Sequence, residues 1–473
     1  MVVGNVPEAV DLLIAGGGPG GYTAALQAAH QGRSVVLVEA NGAAAVGGVC
    51  LHRGCIPSKA LIEAADLQHR AGHAGAMGVG AFIEAFDMTR FQSWKDSVVS
   101  GLVRGVQGLL ESAGVRVVTG SLRVVDDRNA VVANGEAAAQ FYEFKSLILA
   151  TGSAPAVLSV LPVDHRRILD STSALALDRV PAMVAVVGAG YIGLELGTAL
   201  AKAGARVTLV EGLGRVLPAM DESIARPVMR RLRDLGVEVR LNCEVQGADD
   251  TALLVRDANG PAQIDAEVII VAVGRKPNTA AIGLEDIGVA TDARGLLAPA
   301  PDRRLAPRIA AIGDITPGPA LAHKASAEAA VAVAALSGET VAFEPQTIPA
   351  VVFSDPEIAV SGVSPSQARE LGLDVDVTTL PITASGRAAT LNADVGMASC
   401  VTDKSDGALL GVQLVGPHAS ELIVEATLAI ELGASLEDIA LTIHPHPTLS
   451  EQMLELAHLG LGLPVHAPKP RGT

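Results

Sequence analysis

Two cysteines stand five positions apart near the N-terminus, within the stretch GGVCLHRGCIPSK at residues 47–59. The chain has four cysteines among 473 residues, and the other two, Cys243 and Cys400, stand alone. A pair such as Cys50 and Cys55 can serve as a structural disulfide, as part of a metal site, or as a disulfide that opens and closes during a reaction. Each use makes a different demand on the rest of the chain.

A redox role fits the surroundings of the pair best. A structural zinc site needs four ligands, and the chain has no second closely spaced cysteine pair, although His444 and His446 keep a metal site as a weaker alternative. A structural disulfide is uncommon in a reducing cytoplasm. Pro57 suits the first position of a helix, whose N-terminal dipole would favour the thiolate of Cys55. We therefore predict a redox-active disulfide.

The chemistry of such a pair also needs a group that moves protons. Near the C-terminus, residues 444–451 read HPHPTLSE. A histidine of this stretch with Glu451 on the following turn is predicted to form an acid–base unit, in which the carboxylate fixes the tautomer of the imidazole.

A repeated unit organises the first half of the chain. Residues 10–40 (VDLLIAGGGPGGYTAALQAAHQGRSVVLVEA) are matched by residues 183–212 (MVAVVGAGYIGLELGTALAKAGARVTLVEG). Each copy has an apolar strand, a GxGxxG turn, an alanine-rich helix and a second apolar strand that ends in glutamate. The shared positions are Gly16, Gly18, Gly21 and Glu39 in the first copy, and Gly188, Gly190, Gly193 and Glu211 in the second.

This pattern is typical of dinucleotide binding. The glycines permit the tight turn, the approach of backbone to a pyrophosphate and the close packing of helix on strand, while the helix N-terminus faces the negative charge. The glutamate can accept hydrogen bonds from ribose hydroxyls. One copy would be weak evidence, but two complete copies predict two dinucleotide sites. Glu211 would repel a 2′-phosphate, so the second site is expected to take NAD rather than NADP; Arg206 and Arg215 nearby are interpreted as surface residues.

Composition and charge exclude several classes of function. Apolar residues make up 49 % of the chain, charged residues 18 % and aromatic residues 2 %, and the formal net charge is −16. This acidic balance argues against a nucleic-acid or anionic membrane partner, since a phosphate backbone needs a basic surface. Glycine or proline breaks the uncharged runs at residues 12–32 and 146–163, so we expect no transmembrane helix. Because MVVGNVPEAVD has no secretory signal, the expected location is the cytoplasm.

The second half of the chain has further elements. Residues 308–316 (RIAAIGDIT) predict an apolar strand that ends in Gly313-Asp314, and an alanine-rich helix is expected around residues 321–337. From Phe343 onward short strands alternate with turn signals. This change in the sequence pattern predicts a separate α+β domain near residues 346–473.

Together these motifs resemble the pyridine nucleotide-disulfide oxidoreductases over nearly the whole chain. The resemblance rests on GGGPGGY, GGxCxxxGCIPSKAL, ATGSAP, GAGYIGLELG, the GD segment with LAHKA, and HPTLSE. Relatives that act on glutathione look more like HPTSSE, and mercuric reductases end in an extra cysteine pair, whereas this chain has no cysteine after Cys400. The branch that it resembles most closely oxidises dihydrolipoamide with NAD+.

The resemblance implies an α/β fold with two Rossmann-like dinucleotide-binding domains and a C-terminal α+β dimerisation domain. The implied domains are residues 1–153 for FAD with the cysteine pair, 154–280 for NAD, 281–345 as a return segment that completes the FAD domain, and 346–473 for dimerisation. A homodimer is implied, in which this last domain lends its histidine to the partner's disulfide. The implied external partners are lipoyl domains and the core acyltransferase of a 2-oxo-acid dehydrogenase complex.

The resemblance also assigns roles to individual residues. Cys50 is implied as the thiol that exchanges with substrate, and Cys55 as the charge-transfer thiolate facing the flavin. His446 is implied as the acid–base group, oriented by Glu451. Lys59 is implied to lie by the reactive flavin nitrogen, paired with Glu195, and Tyr191 to cover the flavin until nicotinamide displaces it. The implied FAD contacts are Gly16, Gly18, Gly21, Glu39, Lys59, Gly120, Asp314 and Ala322. The implied NAD contacts are Gly188, Gly190, Tyr191, Gly193, Glu211 and Gly274.

Three further expectations accompany the resemblance. A cis peptide is implied between His446 and Pro447. Val49 stands where the family usually has threonine, so one hydroxyl contact to FAD is expected to be missing. His52 replaces a common asparagine, which could alter the electrostatics of the thiols.

Two alternatives to the oxidation of dihydrolipoamide stay open. One is an NAD(P)H-dependent reductase of another small disulfide, and the other is a flavoprotein subunit that has lost catalysis.

Overall fold

The computed structural model describes residues 6–82, 84–135 and 139–467. The helices are α1 (Pro19–His30), α2 (Gly48–Arg53), α3 (Cys55–Gly72), α4 (Met88–Ser112), α5 (Ser171–Ala174), α6 (Tyr191–Lys202), α7 (Glu222–Asp234), α8 (Ala322–Leu336), α9 (Pro365–Leu371), α10 (Gly386–Thr390), α11 (Ala419–Glu431), α12 (Leu436–Leu441) and α13 (Glu451–Gly460). Short 3-10 helices occupy Ala43–Ala45, Ala74–Met77, Glu285–Ile287, Gly313–Ile315 and Ile382–Ala384.

The strands follow one another in this order along the chain. They are β1 (Glu8–Ala15), β2 (Val35–Glu39), β3 (Arg116–Thr119), β4 (Ser121–Val124), β5 (Asn129–Ala133), β6 (Gln140–Leu149), β7 (Ser153–Pro155), β8 (Ile168–Asp170), β9 (Met183–Val187), β10 (Arg206–Val210), β11 (Glu238–Arg240), β12 (Glu244–Ala248), β13 (Ala252–Asp257), β14 (Gly260–Asp265), β15 (Val268–Val271), β16 (Arg275–Pro277), β17 (Arg304–Ala306), β18 (Ile309–Ala311), β19 (Ala350–Val352), β20 (Ile358–Gly362), β21 (Val375–Pro381), β22 (Met397–Asp403) and β23 (Leu409–Val415).

The chain folds into two compact units. The first unit comprises residues 1–61, 89–156 and 274–344, and the second comprises residues 62–88, 157–273 and 345–473. Within the described ranges, no helix has both the length and the apolar character needed to cross a membrane.

The first unit is built on a sheet in which β18, β6, β1, β2 and β3 run parallel in that order. Strand β17 pairs antiparallel with β18 at one edge, and β4 and β5 form an antiparallel extension from β6. Because parallel strands end at the same edge, the residues that follow β1, β2, β6 and β18 come together there. This carboxyl edge is where nucleotides bind in open α/β sheets.

Small side chains let two helices pack closely on one face of this sheet. Helix α1 contributes buried Ala24, Ala25 and Ala28, and α8 contributes buried Ala329 and Ala332. They form one apolar cluster with the buried strand residues Leu12, Ile14, Leu37 and Ile148. The other face forms a second cluster around Leu13, Tyr142 and Phe144. Both faces of the sheet are therefore covered, as a parallel sheet requires.

The second unit contains another parallel sheet, with the strand order β11-β10-β9-β15-β8. Helix α6 leaves the carboxyl end of β9, and an antiparallel sheet of β12, β13 and β14 packs into the same apolar cluster. This arrangement repeats the strand–helix–strand start of the first unit.

The C-terminal part of the second unit is an antiparallel sheet with the order β19-β20-β23-β22-β21. Helices α11, α12 and α13 share an apolar cluster with this sheet, including Ile423, Ile439 and Leu456. The predicted α/β class, with two nucleotide-binding folds and a C-terminal α+β domain, is confirmed. The domain limits given from the sequence stay predictions.

Candidate active site and dinucleotide cradles

The predicted thiol pair lies at a junction of two helices. Cys50 is in α2, Gly54 interrupts the helical path, and Cys55 begins α3. The expectation that Pro57 would occupy the first helical position is wrong, because the helix starts two residues earlier. Gly47 and Gly48 introduce α2 with positive φ angles of 95° and 60°, which glycine adopts without strain. Cys50 is half-buried and Cys55 is exposed. The local fold therefore places both sulfurs together, with access to one of them from solvent.

The two thiols interact electrostatically. The hydrogen bond with the Cys55 side chain raises the pKa of Cys50, and burial raises it further, while the charge of Lys59 opposes both effects. The raised pKa means that Cys50 favours its protonated form beside the Cys55 sulfur. Tyr22 was not singled out from the sequence. Burial, and then the charge of Cys50, raises the pKa of this tyrosine, so it belongs to the surroundings of the pair.

Lys59 lies one helical turn after Cys55 on α3. Its Nζ donates to Ser58 Oγ at 3.4 Å. Glu195, the partner implied for this lysine, is buried in α6 and accepts a hydrogen bond from the backbone N–H of Phe353 at 3.0 Å. The pairing of Lys59 with Glu195 stays a prediction.

The predicted acid–base unit is formed by contact between its two members. His446 Nδ1 lies 2.8 Å from Glu451 Oε1, and Glu451 Oε2 accepts the backbone N–H of Thr448 at 2.8 Å. Although burial raises the pKa of Glu451, the Thr448 N–H and then His446 lower it overall. The carboxylate therefore stays ionised and fixes the imidazole through Nδ1. The His446–Pro447 peptide is cis, as the family resemblance implied.

His444, the other histidine of the motif, has a different environment. Its Nε2 lies 2.7 Å from Glu425 Oε1 and its Nδ1 lies 2.9 Å from the carbonyl oxygen of Thr442. Both ring nitrogens are thus engaged by oxygens of the same chain. Among the described residues, no group of three or more His, Cys, Asp or Glu side chains is placed to hold a metal ion.

The first cradle consists of Gly16, Gly18, Gly21 and Glu39, at the carboxyl ends of β1 and β2. Gly16 has a φ of 103°, and a Cβ there would overlap the carbonyl oxygen of Ala150; a Cβ on Gly21 would overlap the carbonyl oxygen of Gly16. Gly18 instead faces open space and precedes α1 without a side-chain cap. The helix N–H groups at this end are therefore available to a phosphate.

The remaining predicted FAD residues gather at this same edge of the first unit. The N–H of Gly120 donates to the carbonyl oxygen of Glu39 at 3.1 Å. Asp314 follows β18, and its Oδ2 accepts a hydrogen bond from Ser153 Oγ at 2.5 Å. Ala322 is the first residue of α8, which also begins without a side-chain cap.

The second cradle consists of Gly188, Gly190, Gly193 and Glu211. It repeats the first in detail: Gly188 has a φ of 100°, a Cβ there would overlap the carbonyl oxygen of Ala272, and a Cβ on Gly193 would overlap that of Gly188. Gly190 again faces open space before an uncapped helix.

Two more predicted NAD residues have been placed by the structure. Tyr191 is the first residue of α6 and is exposed. Gly274 has a φ of 121°, and its carbonyl oxygen accepts the N–H of Ala156 at 2.9 Å. The roles assigned to these two residues toward NAD stay predictions.

Comparison with known families agrees with this geometry. Residues 10–329 match the family described as pyridine nucleotide-disulphide oxidoreductase, and residues 348–457 match the dimerisation domain of that family. The chain belongs to the pyridine nucleotide-disulphide oxidoreductases. Their cofactors are FAD and NAD(H), and the chain is an oxidoreductase of this family.

Named members of the family are similar over nearly the full length. A dihydrolipoyl dehydrogenase of Geobacillus stearothermophilus is 46 % identical over 98 % of this chain and 99 % of its own. A dihydrolipoyl dehydrogenase of Bacillus subtilis is 44 % identical over 99 % of this chain and 100 % of its own.

Two solved structures are similar to this chain in fold. The HOCl-induced flavoprotein disulfide reductase RclA from Escherichia coli, as a Cu(II) complex, superposes with a TM-score of 0.85 at 27 % identity, covering 96 % of this chain and 99 % of its own. LpdA from Mycobacterium tuberculosis superposes with a TM-score of 0.87 at 26 % identity, covering 95 % and 99 %.

The residues of the two cradles fit the cofactors of this oxidoreductase family. Each cradle combines an uncapped helix N-terminus, an open glycine and a glutamate whose carboxylate is already held by backbone N–H groups. Of the two departures noted in the sequence, Val49 lies in the first turn of α2, and His52 Nε2 donates to the carbonyl oxygen of Val46 at 2.9 Å. Their effects on FAD and on the thiols stay predictions.

Proposed function

We propose that the chain is a dihydrolipoyl dehydrogenase, the E3 component of a 2-oxo-acid dehydrogenase complex. It oxidises the dithiol of protein-bound dihydrolipoamide to the disulfide and reduces NAD+ to NADH. The similarity to dihydrolipoyl dehydrogenases over the full length carries this proposal. The adjacent thiols of Cys50 and Cys55 and the His446–Glu451 contact support it, because they are the groups that thiol–disulfide exchange requires.

The proposed chemistry begins with Cys50 and Cys55 joined as a disulfide. One substrate thiolate attacks the sulfur of Cys50, forming a mixed disulfide and releasing Cys55 as a thiolate. The second substrate thiolate then attacks the substrate sulfur that is bonded to Cys50, which closes the lipoamide ring and releases Cys50. Two electrons pass from the substrate to the cysteine pair. The substrate loses two protons, one of which ends on Cys50 and the other on His446.

The raised pKa of Cys50 is consistent with this division of labour. Cys50 holds a proton against the Cys55 sulfur, so the released interchange thiol is neutral while Cys55 carries the negative charge. Lys59, one turn after Cys55 on α3, places a positive charge near the pair, and that charge opposes the rise in the pKa of Cys50. FAD, if held at the first cradle by Gly16, Gly18, Gly21 and Glu39, would supply a two-electron acceptor for this pair and an electron donor for NAD+.

His446 acts as the base for the substrate thiols in this proposal. Its Nδ1 is engaged by Glu451, which leaves Nε2 to accept a proton. The ionised carboxylate stabilises the imidazolium that forms, as the carboxylate does in other histidine-based catalytic units.

A homodimer with shared sites completes the proposal. The match of residues 348–457 to a dimerisation domain supports a homodimer. In the single chain, 77 % of the His446 side chain is exposed. This exposure suits an imidazole that is delivered to the cysteine pair of the partner subunit.

The proposed physiological setting is a reducing cytoplasm, with lipoyl domains as substrates and a core acyltransferase as the assembly partner. The two remaining cysteines, Cys243 and Cys400, are buried thiols, as such a setting allows.

A steady-state comparison tests the proposal. Purified holoenzyme is assayed with dihydrolipoamide and NAD+, and separately with glutathione disulfide and NADPH. Turnover confined to the first pair supports the proposal, whereas turnover confined to the second favours a reductase of another small disulfide. If an anaerobic dithiol titration leaves the visible absorbance of the flavin unchanged, the chain is a non-catalytic flavoprotein subunit.

A further inference from the structure

An ionic cluster lies beneath the edge that carries Asp314. The side chains of Lys324 and Glu328 are 2 % and 0 % exposed, and that of Arg303 is 12 % exposed. Lys324 and Glu328 stand four residues apart on α8, a largely alanine helix. Burying three charged groups is costly unless each is paired and hydrogen-bonded. A buried cluster of this kind therefore needs a structural or functional explanation.

The two α8 side chains hold both backbone groups of one residue, Gly313. Glu328 Oε2 accepts the Gly313 N–H at 2.7 Å, and Lys324 Nζ donates to the Gly313 carbonyl oxygen at 3.1 Å. Gly313 has a φ of 79° and immediately precedes Asp314. We call Lys324 and Glu328 the Gly313 clamp.

Thr316 and Arg303 form hydrogen bonds with the two residues of the Gly313 clamp. Lys324 Nζ donates to Thr316 Oγ1 at 2.9 Å, and that hydroxyl lies within donating distance of the Gly313 carbonyl oxygen (2.8 Å) and of Glu328 Oε1 (3.1 Å). Arg303 Nη1 donates to Glu328 Oε1 at 2.9 Å. The 3-10 turn Gly313–Ile315 is thus fixed at both ends by the same side chains.

The charges of the cluster balance only when Asp314 is counted. Lys324 and Arg303 contribute two positive charges, and Glu328 contributes one negative charge. Burial lowers the pKa of Lys324, whereas attraction to Glu328 and then to Asp314 opposes that effect. Asp314 is therefore close enough for its negative charge to balance the remaining positive charge of the cluster. From the other side, Arg275 Nε donates to Ser153 Oγ at 2.7 Å, and that hydroxyl donates to Asp314.

We propose that the Gly313 clamp is a positioning unit for FAD, which acts by fixing the backbone that aims the Asp314 carboxylate. The inference rests on the proposed function only in requiring FAD at the first cradle, and it takes Asp314 as the FAD contact that the family resemblance implies. Nothing in it depends on which disulfide is the substrate. Glu328 and Lys324 touch the protein backbone and act through Asp314.

The test measures FAD release from the holoenzyme by the rise of flavin fluorescence after dilution. Glu328→Gln keeps the shape of the side chain but leaves Lys324 and Arg303 without their counter-charge. We expect release to accelerate about tenfold, equivalent to about 1.4 kcal/mol. A release rate within twofold of wild type overturns the proposal.

A double-mutant cycle separates positioning from general weakening of the protein. If the clamp acts through Asp314, Glu328→Gln combined with Asp314→Asn releases FAD no faster than Asp314→Asn alone. Multiplicative effects of the two substitutions overturn the proposal. If Asp314→Asn itself leaves release unchanged, the assignment of Asp314 fails, and the proposal with it, while dihydrolipoamide turnover by the wild type still reports on the proposed function.

Asp355→Asn is the matched control. Asp355 lies in the second unit and pairs with Lys202 at 2.7 Å and Arg231 at 2.8 Å. Its loss should lower the melting temperature without accelerating FAD release, and equal acceleration overturns the proposal. If Glu328→Gln fails to fold, Thr316→Val removes the hydroxyl between Lys324 and Gly313 and should give acceleration in the same direction, of about threefold; no acceleration again overturns it.

Discussion

Glu211 Oε2 accepts the backbone N–H of Ala189 at 2.8 Å. Its other carboxylate oxygen accepts the N–H of Leu213 at 2.9 Å. The first cradle has the same arrangement, because Glu39 Oε2 accepts the N–H of Gly17 at 2.9 Å. In both cradles backbone N–H groups thus fix the glutamate carboxylate before any ligand binds. The carboxylate therefore cannot move away from a second negatively charged group.

The first prediction concerns coenzyme choice. Since a 2′-phosphate would meet the fixed Glu211 carboxylate, kcat/KM for NAD+ should exceed that for NADP+ by ~100-fold or more, because like charges in contact cost several kcal/mol. Glu211→Ala with an arginine introduced nearby should narrow the ratio. Glu238→Ala is the matched control, since Glu238 pairs with Arg240 on β11. Equal kcat/KM for both coenzymes in the unmodified chain would contradict the prediction.

The second prediction concerns the division of labour between the thiols. Cys50→Ser should abolish lipoamide turnover but retain a Cys55 thiolate, visible in the holoenzyme as a long-wavelength absorbance band. Cys55→Ser should abolish turnover without that band. Cys243→Ala, which alters a buried thiol outside the pair, should leave turnover in place. A band in Cys55→Ser and none in Cys50→Ser would reverse the two roles.

How far the sequence anticipated the structure depends on the range of the interaction. The strand-to-helix turns at Gly16 and Gly188 were predicted because glycine spacing encodes them locally. The helix expected around residues 321–337 is α8, Ala322–Leu336. The Glu451 contact with His446 was likewise predicted, since only five positions separate the two residues along the chain.

Contacts between distant segments were not predicted. The pairing of β18 with β6 joins residues more than 150 positions apart, and neither strand carries a local signal for its partner. The Gly313 clamp was missed for the same reason, although two opposite charges four residues apart in an alanine helix are a usable signal. The contact of His444 with Glu425, and the cis peptide before Pro356, also had no signal that we recognised.

The third prediction concerns Glu451. Glu451→Gln removes the charge that stabilises the His446 imidazolium but keeps the imidazole. We therefore expect kcat to fall by roughly 10-fold, less than the about 10²–10⁴-fold that general acid–base catalysis contributes as a whole, while KM changes little. Glu455→Gln is a matched control on the same helix, because Glu455 pairs with His466 Nδ1 at 2.6 Å. That variant should keep its activity. An equal loss of kcat in both variants would show that helix α13 is merely weakened.

The same carboxylate gives a pH-dependent stability. The folded pKa of Glu451 lies below its ordinary value of 4.5, so its contribution is fully present above that value and is lost as pH falls through the folded pKa. The melting temperature of Glu451→Gln should therefore fall below that of the wild type at neutral pH, and the difference should close in acid. A difference that is constant from neutral pH to acid would contradict this assignment.

The last prediction tests whether each active site is shared between two subunits. His446 is largely exposed in the single chain and lies in the region that matches a dimerisation domain. A closed twofold dimer allows each chain to give and receive the same residue. Because general acid–base help is worth typically 10²–10⁴-fold, His446→Ala should nearly silence any site that uses it.

Mixing variant chains and isolating the heterodimer gives the decisive measurement. In a heterodimer of Cys50→Ser and His446→Ala chains, shared sites place both lesions in one site and leave the other intact, so roughly half the wild-type activity should return. The control pairs Cys50→Ser with Cys55→Ser chains: each site then has a damaged cysteine pair, and sharing predicts no recovery. If each chain used its own His446, both heterodimers would stay inactive. Only a difference between the two heterodimers therefore establishes that the imidazole crosses from one subunit to the other.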